Sequence, residues 1–229
     1  MMINKIGTNL KDIETPELII DLDILDANVN TVSKAYSDSH LKMRAHTKNL
    51  KSPYLARRQV EAGGSNGGVC TAKVSEAEVM VEGGFKNILI ANQVVSDDKI
   101  ERLCSLAKFA DMKVGIDNID NLNNLSKFAI KHNVILGVLV EINTSMFRCG
   151  VRSSDHAVEL AKQAVDLEGI SFKGVMSHQS IKGYTTEEER WKIGEEYLDI
   201  CLESKRAIEE AGMDVEIVST GETFTFDIV

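Results

Sequence analysis

The stretch "GGVCTAKVSEAEVMVEGGFKNILIAN" (residues 67–92) places one amphipathic run between two short apolar runs. The apolar runs, 67–72 and 87–92, have the length and composition of buried strands. Between them, Val74, Ala77 and Val81 recur at helical spacing, and a pair of glycines follows, as at the end of a helix. The order strand–helix–strand predicts two parallel strands joined by a right-handed crossover.

The same alternation continues on both sides of this stretch. Further apolar runs lie at 41–46, 112–117, 135–143, 172–178 and 215–221, with amphipathic runs between them. About seven β/α repeats predict a TIM-type (β/α)8 barrel rather than an open sheet. The earlier segment "ELIIDLDILDANVNTVSKAY" (17–36) predicts one extra strand and a helix before the first barrel strand. No run for an eighth strand follows the seventh.

The composition restricts the class of protein. The chain has 229 residues, of which 27% are charged, and its net charge of -9 argues against a nucleic-acid partner. Its four cysteines are scattered without a CxxC pair, which indicates reduced thiols rather than a zinc site. No apolar stretch has the length of a signal peptide or a membrane span, so we expect a cytoplasmic protein without membrane contact.

Polar and titratable residues follow the predicted strands, where barrel enzymes place their active sites. Lys48 follows the first strand, and a lysine amine at such a position can act as a nucleophile. From spacing alone, however, an ordinary solvated lysine is the simpler interpretation of Lys48. Glu141 and Arg148 flank the end of the fifth strand, and a structural ion pair is the simpler explanation for them. The segment 219–223 offers N–H groups and hydroxyls to a phosphate, although many strand–helix turns do so.

Five motifs in order carry a resemblance over nearly the whole chain. They are "TPELIIDLDILDANV" (15–29), "RAHTKNLKSP" (44–53), "GVCTAKVSEAEVMVEGGFKNILIANQVV" (68–95), "LVEINTSMFRCGV" (139–151) and "VSTGETFTFD" (218–227). The set resembles the D-threonine aldolase / D-serine dehydratase group of the alanine-racemase-like (fold-type III) pyridoxal-phosphate enzymes. The resemblance implies that residues 1–229 form one pyridoxal-phosphate-binding barrel domain of the alanine racemase N-terminal type. By the same resemblance we expect that barrel to be truncated before strand 8 and to lack the C-terminal β-domain of the group.

The resemblance also implies roles for individual residues. Lys48 matches the lysine that carries pyridoxal 5'-phosphate as a Schiff base, whereas Lys51 matches a second lysine that is not covalent. Arg148 matches an arginine near the phenolic oxygen of the cofactor. His178 matches a position where the alanine racemases have a histidine beside the cofactor ring and where the aldolase group more often has tyrosine. Lys48 and His178 are the expected catalytic residues. The remaining expected cofactor contacts are His46, Ser219, Thr220, Gly221 and Thr223.

The implied activity is cleavage or dehydration of a β-hydroxy-D-amino acid such as D-threonine or D-serine. The alternatives are an amino-acid racemase, a non-catalytic pyridoxal-phosphate homeostasis protein and an inactive fragment. The divalent metal of full-length relatives (Mn²⁺, Zn²⁺ or Mg²⁺) is bound by their C-terminal domain, so we expect no metal ligands in this chain. A small amino acid is the expected partner, and a homodimer is left open.

Five residues depart from the motifs of the group, and the first of them, Ala45, replaces a proline. Asn49 and Leu50 replace a Thr-His pair, and Leu50 cannot transfer a proton. Ser145 and Glu222 replace glycines. The Glu222 carboxylate would repel a phosphate unless it points away.

Overall fold

The computed structural model describes residues 6–228, in which seven strands alternate with helices. The strands are β1 Met43–His46, β2 Ser65–Thr71, β3 Asn87–Ile90, β4 Asp111–Ile116, β5 Leu136–Ile142, β6 Ile170–Ser177 and β7 Ile217–Ser219. The helices are α1 Leu22–Ser37, α2 Pro53–Glu61, α3 Val74–Glu82, α4 Asp97–Leu106, α5 Ile119–His132, α6 Ser154–Asp166 and α7 Glu187–Glu210. Within this range, no helix is both long and apolar enough to cross a membrane.

The seven strands form one parallel sheet in chain order, with β1 and β7 at its two edges. Each strand pairs with the next one along the chain, from Cys70 opposite Leu89 to Met176 opposite Ser219. The order confirms the predicted β/α architecture, because each helix returns the chain to the same end of the sheet. The carboxyl ends of all seven strands therefore lie along one side of the sheet, which we call the strand edge.

The sheet is curled, as its two layers of apolar side chains show. One layer contains Val69, Ile88 and Val138 and packs against the helices. The other layer is a small inner cluster of Cys70, Leu89, Leu139 and Met176, which come from four different strands. A Cβ on Gly115 of β4 would lie 3.0 Å from Met176 Sδ of β6. Because β4 and β6 are not neighbours, this approach requires the sheet to bend into a half-barrel.

Charged and polar side chains fill the amino end of the half-barrel. The guanidinium of Arg44 donates to Asn87 Oδ1 (2.9 Å), and Lys113 Nζ donates to the same oxygen (3.2 Å). Lys113 is 4% exposed and also forms an ion pair with Asp111. Partners are thus present for the buried Lys113 and for the half-buried Arg44, as burial of charge requires. This network closes one end of the half-barrel, which leaves the carboxyl end for a site.

The extra strand predicted in 17–36 is wrong. Residues 17–21 form no strand, and α1 begins directly after Asp21, whose carboxylate accepts hydrogen bonds from Asp23 N and Ile24 N. The side chains of Leu18 and Ile19 are 96% and 58% exposed. A strand needs a neighbour for its backbone groups, and the described part of the chain offers none here. The helix of this segment was predicted correctly.

Candidate active site

A tight turn after β1 presents Lys48 at the strand edge. Thr47 is fully buried, and both its N–H and its hydroxyl donate to the carbonyl of Cys70 on β2 (2.8 and 3.2 Å). The N–H of Lys51 donates to the carbonyl of Thr47 (2.8 Å), and Lys51 itself adopts a positive φ of 49°. The turn is therefore fixed from both ends, while the Lys48 side chain between them is exposed.

The two lysines of this segment have different surroundings. Lys51 Nζ donates to Glu76 Oε1 (2.6 Å), and the other oxygen of this carboxylate accepts from the N–H of Ala72 (2.8 Å). Burial alone would raise the pKa of Glu76, but these two hydrogen bonds outweigh it and the pKa is lowered. Lys51 is thus held in a structural ion pair. Lys48 has no ion-pair partner within residues 6–228.

Two histidines lie beside Lys48. The ring Nδ1 of His46 accepts from the backbone N–H of Lys48 (3.3 Å). Burial and the positive charge of Lys48 lower the pKa of His46 to about 4, with His178 adding to the effect and Glu76 opposing it. Burial, Arg148 and Lys48 lower the pKa of His178. Both imidazoles are therefore neutral at pH 7. Their shared electrostatic partners show that the structure brings Lys48, His46, His178 and Arg148 together.

Two carboxylates at strand ends anchor the loop that carries Arg148. The thiol of Cys149 donates to Glu141 Oε1 (3.0 Å), and the N–H of Gly150 donates to Asp117 Oδ2 (2.8 Å). Burial and Glu141 raise the pKa of Cys149 to about 11, so it stays a thiol at neutral pH. Arg148 directly precedes Cys149, and its side chain is exposed.

The suggested ion pair between Glu141 and Arg148 is wrong. Glu141 is 3% exposed, and its second oxygen, Oε2, accepts from Gln93 Nε2 (2.6 Å). The hydrogen bonds from Gln93 and Cys149 occupy both oxygens of this buried carboxylate, as its burial requires. Arg148 therefore keeps its guanidinium available to other groups.

The Arg148 loop is also attached to the end of β6. The hydroxyls of Thr144 and Ser145 both donate to the carbonyl of His178 (3.2 Å each). Ser145 in turn accepts from the N–H of Ser180 (3.1 Å). Ser145 thus forms hydrogen bonds at a position where the resembling group has glycine. It links the loop that carries Arg148 to the backbone of His178.

The turn after β7 supplies hydroxyls at the same edge. Thr220 Oγ1 and Ser177 Oγ on β6 form a hydrogen bond of 2.7 Å, and Gly221 adopts a positive φ of 91°. Thr223 is exposed. The N–H of Glu222 donates to Thr225 Oγ1 (2.9 Å) and is therefore already used. The side-chain oxygen Glu222 Oε1 is buried without a hydrogen-bond partner among the described residues.

These groups define what the edge can bind. A free lysine amine reacts with an aldehyde, an exposed guanidinium attracts an anionic oxygen, and hydroxyls beside a glycine turn suit a phosphate. The neutral imidazoles of His46 and His178 can accept a proton. The donor set therefore fits a phosphorylated aldehyde cofactor.

A separate cleft of about 560 Å³ lies beside α5. It is lined mainly by asparagines and aspartates and shares only Asp117 with the groups described above. Its single cation is Lys127. The cleft lacks the combination of amine, imidazole and hydroxyl groups, so the strand edge and not this cleft is the candidate site.

Comparison with known proteins decides the family. The family model of the alanine racemase N-terminal domain matches residues 20–226. The chain belongs to the alanine racemase N-terminal domain family. In this family member the strand edge carries residues from four of the five motifs, namely Lys48, Gln93, Arg148 and Thr220.

Three relatives extend this result. The chain is 36% identical over 224 residues to a 3-hydroxy-D-aspartate aldolase of Paracoccus denitrificans, covering 96% of this chain and 57% of that protein. The crystal structure of D-threonine aldolase from Filomicrobium marinum superposes with a TM-score of 0.90 at 35% identity, covering 96% of this chain and 59% of that one. The D-threo-3-hydroxyaspartate dehydratase from Delftia sp. HT23 superposes with a TM-score of 0.84 at 25% identity over 93% and 56%. This family member thus spans a little over half the length of these relatives.

Several residues that shape the site were not found from the sequence. Glu76, which holds Lys51, belongs to an ordinary helical pattern, and Cys149 was noted only as a scattered thiol. Their signal was present in the motifs "KVSEAE" and "FRCGV", but the motif alone does not say which residue each contacts.

Proposed function

We propose that this alanine racemase N-terminal domain binds pyridoxal 5'-phosphate through Lys48. We propose further that it forms part of a lyase that cleaves or dehydrates a small β-hydroxy-D-amino acid. The observation that carries the proposal is the difference between two nearby lysines. Lys51 is paired with Glu76, whereas Lys48 is exposed at the strand edge beside His46 and His178. The names of the relatives support the reaction class.

Each residue at the edge has a role that follows from its chemistry. Lys48 holds the cofactor and can then move a proton at the α-carbon of the substrate. His178 is neutral at neutral pH and accepts a proton, such as that of the β-hydroxyl when the bond between the α- and β-carbons breaks. His46 has a pKa of about 4, which makes it a weaker base, so we assign it to contact rather than to proton transfer. When bound, pyridoxal phosphate supplies an electron sink for the α-carbon.

The remaining residues would bind and orient the cofactor. Arg148 would pair with its phenolic oxygen, since the loop anchors leave this guanidinium exposed. Ser219, Thr220, Gly221 and Thr223 would hold the phosphate through hydroxyls and backbone N–H groups. The Glu222 carboxylate is partly buried at this turn, and its negative charge would weaken the binding of a phosphate there.

The divalent metal implied by the family resemblance would be bound elsewhere in the whole protein. Within residues 6–228, no three His, Cys, Asp or Glu side chains are placed to hold a metal ion. We therefore assign to this chain the cofactor and proton-transfer groups only.

Product analysis of the purified chain tests the proposal. The protein is supplied with pyridoxal 5'-phosphate and Mn²⁺, and then with D-threonine, D-threo-3-hydroxyaspartate, D-serine or alanine. An aldolase releases glycine and an aldehyde, and a dehydratase releases ammonia and a keto acid. We expect one of these product pairs from a β-hydroxy-D-amino acid, and we expect none from the Lys48→Ala variant.

Racemisation is the second candidate, because His178 and Lys48 are two proton-carrying groups at one site. Loss of optical activity from alanine without any cleavage product would overturn the lyase proposal in favour of a racemase. Equal product formation by wild type and Lys48→Ala would overturn the assignment of Lys48.

A further inference from the structure

A buried arginine on α7 grips the chain just after the candidate phosphate turn. Arg190 is 8% exposed, although it lies on a helix otherwise rich in exposed acidic residues. Its guanidinium donates to both carboxylate oxygens of Asp227 (2.8 and 2.7 Å) and to the carbonyl of Phe224 (2.7 Å). Such fork-shaped, charge-assisted bonds fix orientation as well as distance. Arg190 therefore sets the position of residues 224–227.

Two further elements hold this C-terminal turn segment, which we define as residues 220–228. The hydroxyl of Tyr36, at the end of α1, donates to the carbonyl of Phe226 (3.0 Å). On α7, a Cβ on Gly194 would lie 2.5 Å from Ile228 Cδ1, so Ile228 packs directly on the helix backbone. The segment is thus held between the helix before the first strand and the helix before the last.

The segment contains, or directly follows, the residues proposed to hold phosphate. Thr223 directly precedes Phe224. The N–H of Glu222 donates to Thr225 Oγ1 (2.9 Å), and the N–H of Thr225 donates to the carbonyl of Glu222 (3.1 Å). β7 cannot fix this turn alone, since it has three residues, all partly exposed, and pairs only with β6. A displacement of residues 224–227 would consequently displace the turn.

We propose that Arg190 is a positioning residue that holds the phosphate-binding turn in place through Asp227 and the carbonyl of Phe224. This inference rests on the proposed binding of pyridoxal phosphate. Its consequence is specific. Removing the Arg190 guanidinium weakens binding of the cofactor through its phosphate and leaves the contacts of the rest of the cofactor intact.

The test compares two ligands that differ only in the phosphate. Pyridoxal 5'-phosphate and pyridoxal are titrated separately into the purified chain, and binding is followed by visible absorbance. For Arg190→Gln we expect roughly tenfold weaker binding of pyridoxal 5'-phosphate and less than a twofold change for pyridoxal. Arg102→Gln is the matched control, because it removes a bidentate arginine–carboxylate pair with Glu78 far along the chain on α4 (2.7 and 2.5 Å). It should change neither affinity.

Asp227→Asn gives a second, milder variant that does not depend on the stability of Arg190→Gln. It leaves Arg190 free to bind the carbonyl of Phe224, and we expect roughly threefold weaker binding of pyridoxal 5'-phosphate alone. Equal losses for the two ligands, or no loss, in folded Arg190→Gln and Asp227→Asn would overturn the inference while leaving the proposed function standing. A wild-type chain that binds neither ligand would overturn the proposed function itself.

Discussion

The central strands of the sheet and its two edge strands, β1 and β7, are built differently. All seven residues of β5 are buried, and the strand pairs with a neighbour on each side. β7 has three residues, all of them partly exposed, and β1 and β7 each pair with one neighbour only. Yet the residues proposed to hold the cofactor at its two ends, Lys48 and the turn after Ser219, follow these weak edge strands. The central strand is thus buried throughout, whereas the residues proposed for the two ends of the cofactor follow the least buried strands.

The difference also shows how weak edges are made firm enough for a site. Each is held by side chains from other elements instead of by further strand pairing. Lys51 and Glu76 fasten the turn after β1, while Arg190 and Tyr36 fasten the segment after β7. Loops positioned by a rigid scaffold are where functional residues generally lie.

The largest effect on the free energy of unfolding is expected when a side chain of the inner cluster is truncated on a central strand rather than on an edge strand. Leu139 on β5 is fully buried in this cluster, whereas Ile217 on β7 packs against the same cluster but is partly exposed. Leu139→Ala should lower the free energy of unfolding by about 3 kcal/mol, because the surrounding sheet cannot collapse into the cavity. Ile217→Ala should lower it by about 1 kcal/mol, since its apolar area is only partly buried. Urea denaturation measures both.

Ile135→Ala is the control for this pair, because Ile135 is 68% exposed directly before β5. It should change the free energy of unfolding by less than about 0.5 kcal/mol. A loss from Ile217→Ala as large as that from Leu139→Ala would show that the edge carries as much stability as the centre.

A smaller effect is expected at the anchors of the Arg148 loop. Asp117→Ala removes the acceptor of the Gly150 N–H, so residues 143–150 should open more readily. Amide hydrogen exchange in this loop should become roughly tenfold faster, with exchange in β5 unchanged. Glu159→Ala, an exposed carboxylate on α6, serves as the control. Unchanged exchange at Gly150 after Asp117→Ala would refute the anchoring role.

A further effect concerns the neutral His46. Its pKa of about 4 in the folded protein lies below the ordinary value of 6.5, so the unfolded chain binds the proton more readily. Its contribution to stability is therefore complete above pH 6.5 and is lost as the pH falls towards 4. Replacement by asparagine removes this loss. The free energy of unfolding should fall less between pH 7 and pH 5 in His46→Asn than in wild type.

The surroundings of His46 identify the control for this comparison. Lys48 and His178 disfavour its charged form and Glu76 favours it, whereas His156 is exposed on α6. His156→Asn should keep the wild-type dependence on pH. A His46→Asn variant with the same dependence as wild type would contradict the assignment of a neutral imidazole.

The sequence predicts the centre of the sheet better than its edges for a physical reason. Strands buried on both faces must be apolar throughout, so runs such as 135–143 are visible without any knowledge of their neighbours. The apolar run at 18–20 misled the prediction because a strand also needs a partner, and sequence does not display partners. Spacing alone indicated an ordinary lysine at position 48, and only the resemblance of the motif 44–53 distinguished Lys48 from Lys51 as the proposed cofactor residue.

Long-range contacts were beyond sequence reasoning. Arg190 and Asp227 are 37 residues apart and Tyr36 and Phe226 are 190 apart, and no local pattern marks either pair. Glu141 illustrates the same limit at shorter range. A charge beside a buried strand predicts a partner, but Gln93 and Cys149 fill that role instead of the arginine seven residues away.

The central claim is that Lys48, and not Lys51, holds the cofactor. Pyridoxal 5'-phosphate is titrated into the wild-type chain, Lys48→Ala and Lys51→Ala, and the visible absorption band of the lysine-bound cofactor is recorded for each. We predict the band in wild type and in Lys51→Ala and its complete absence in Lys48→Ala. A band that persists in Lys48→Ala, or that disappears only in Lys51→Ala, would contradict the account.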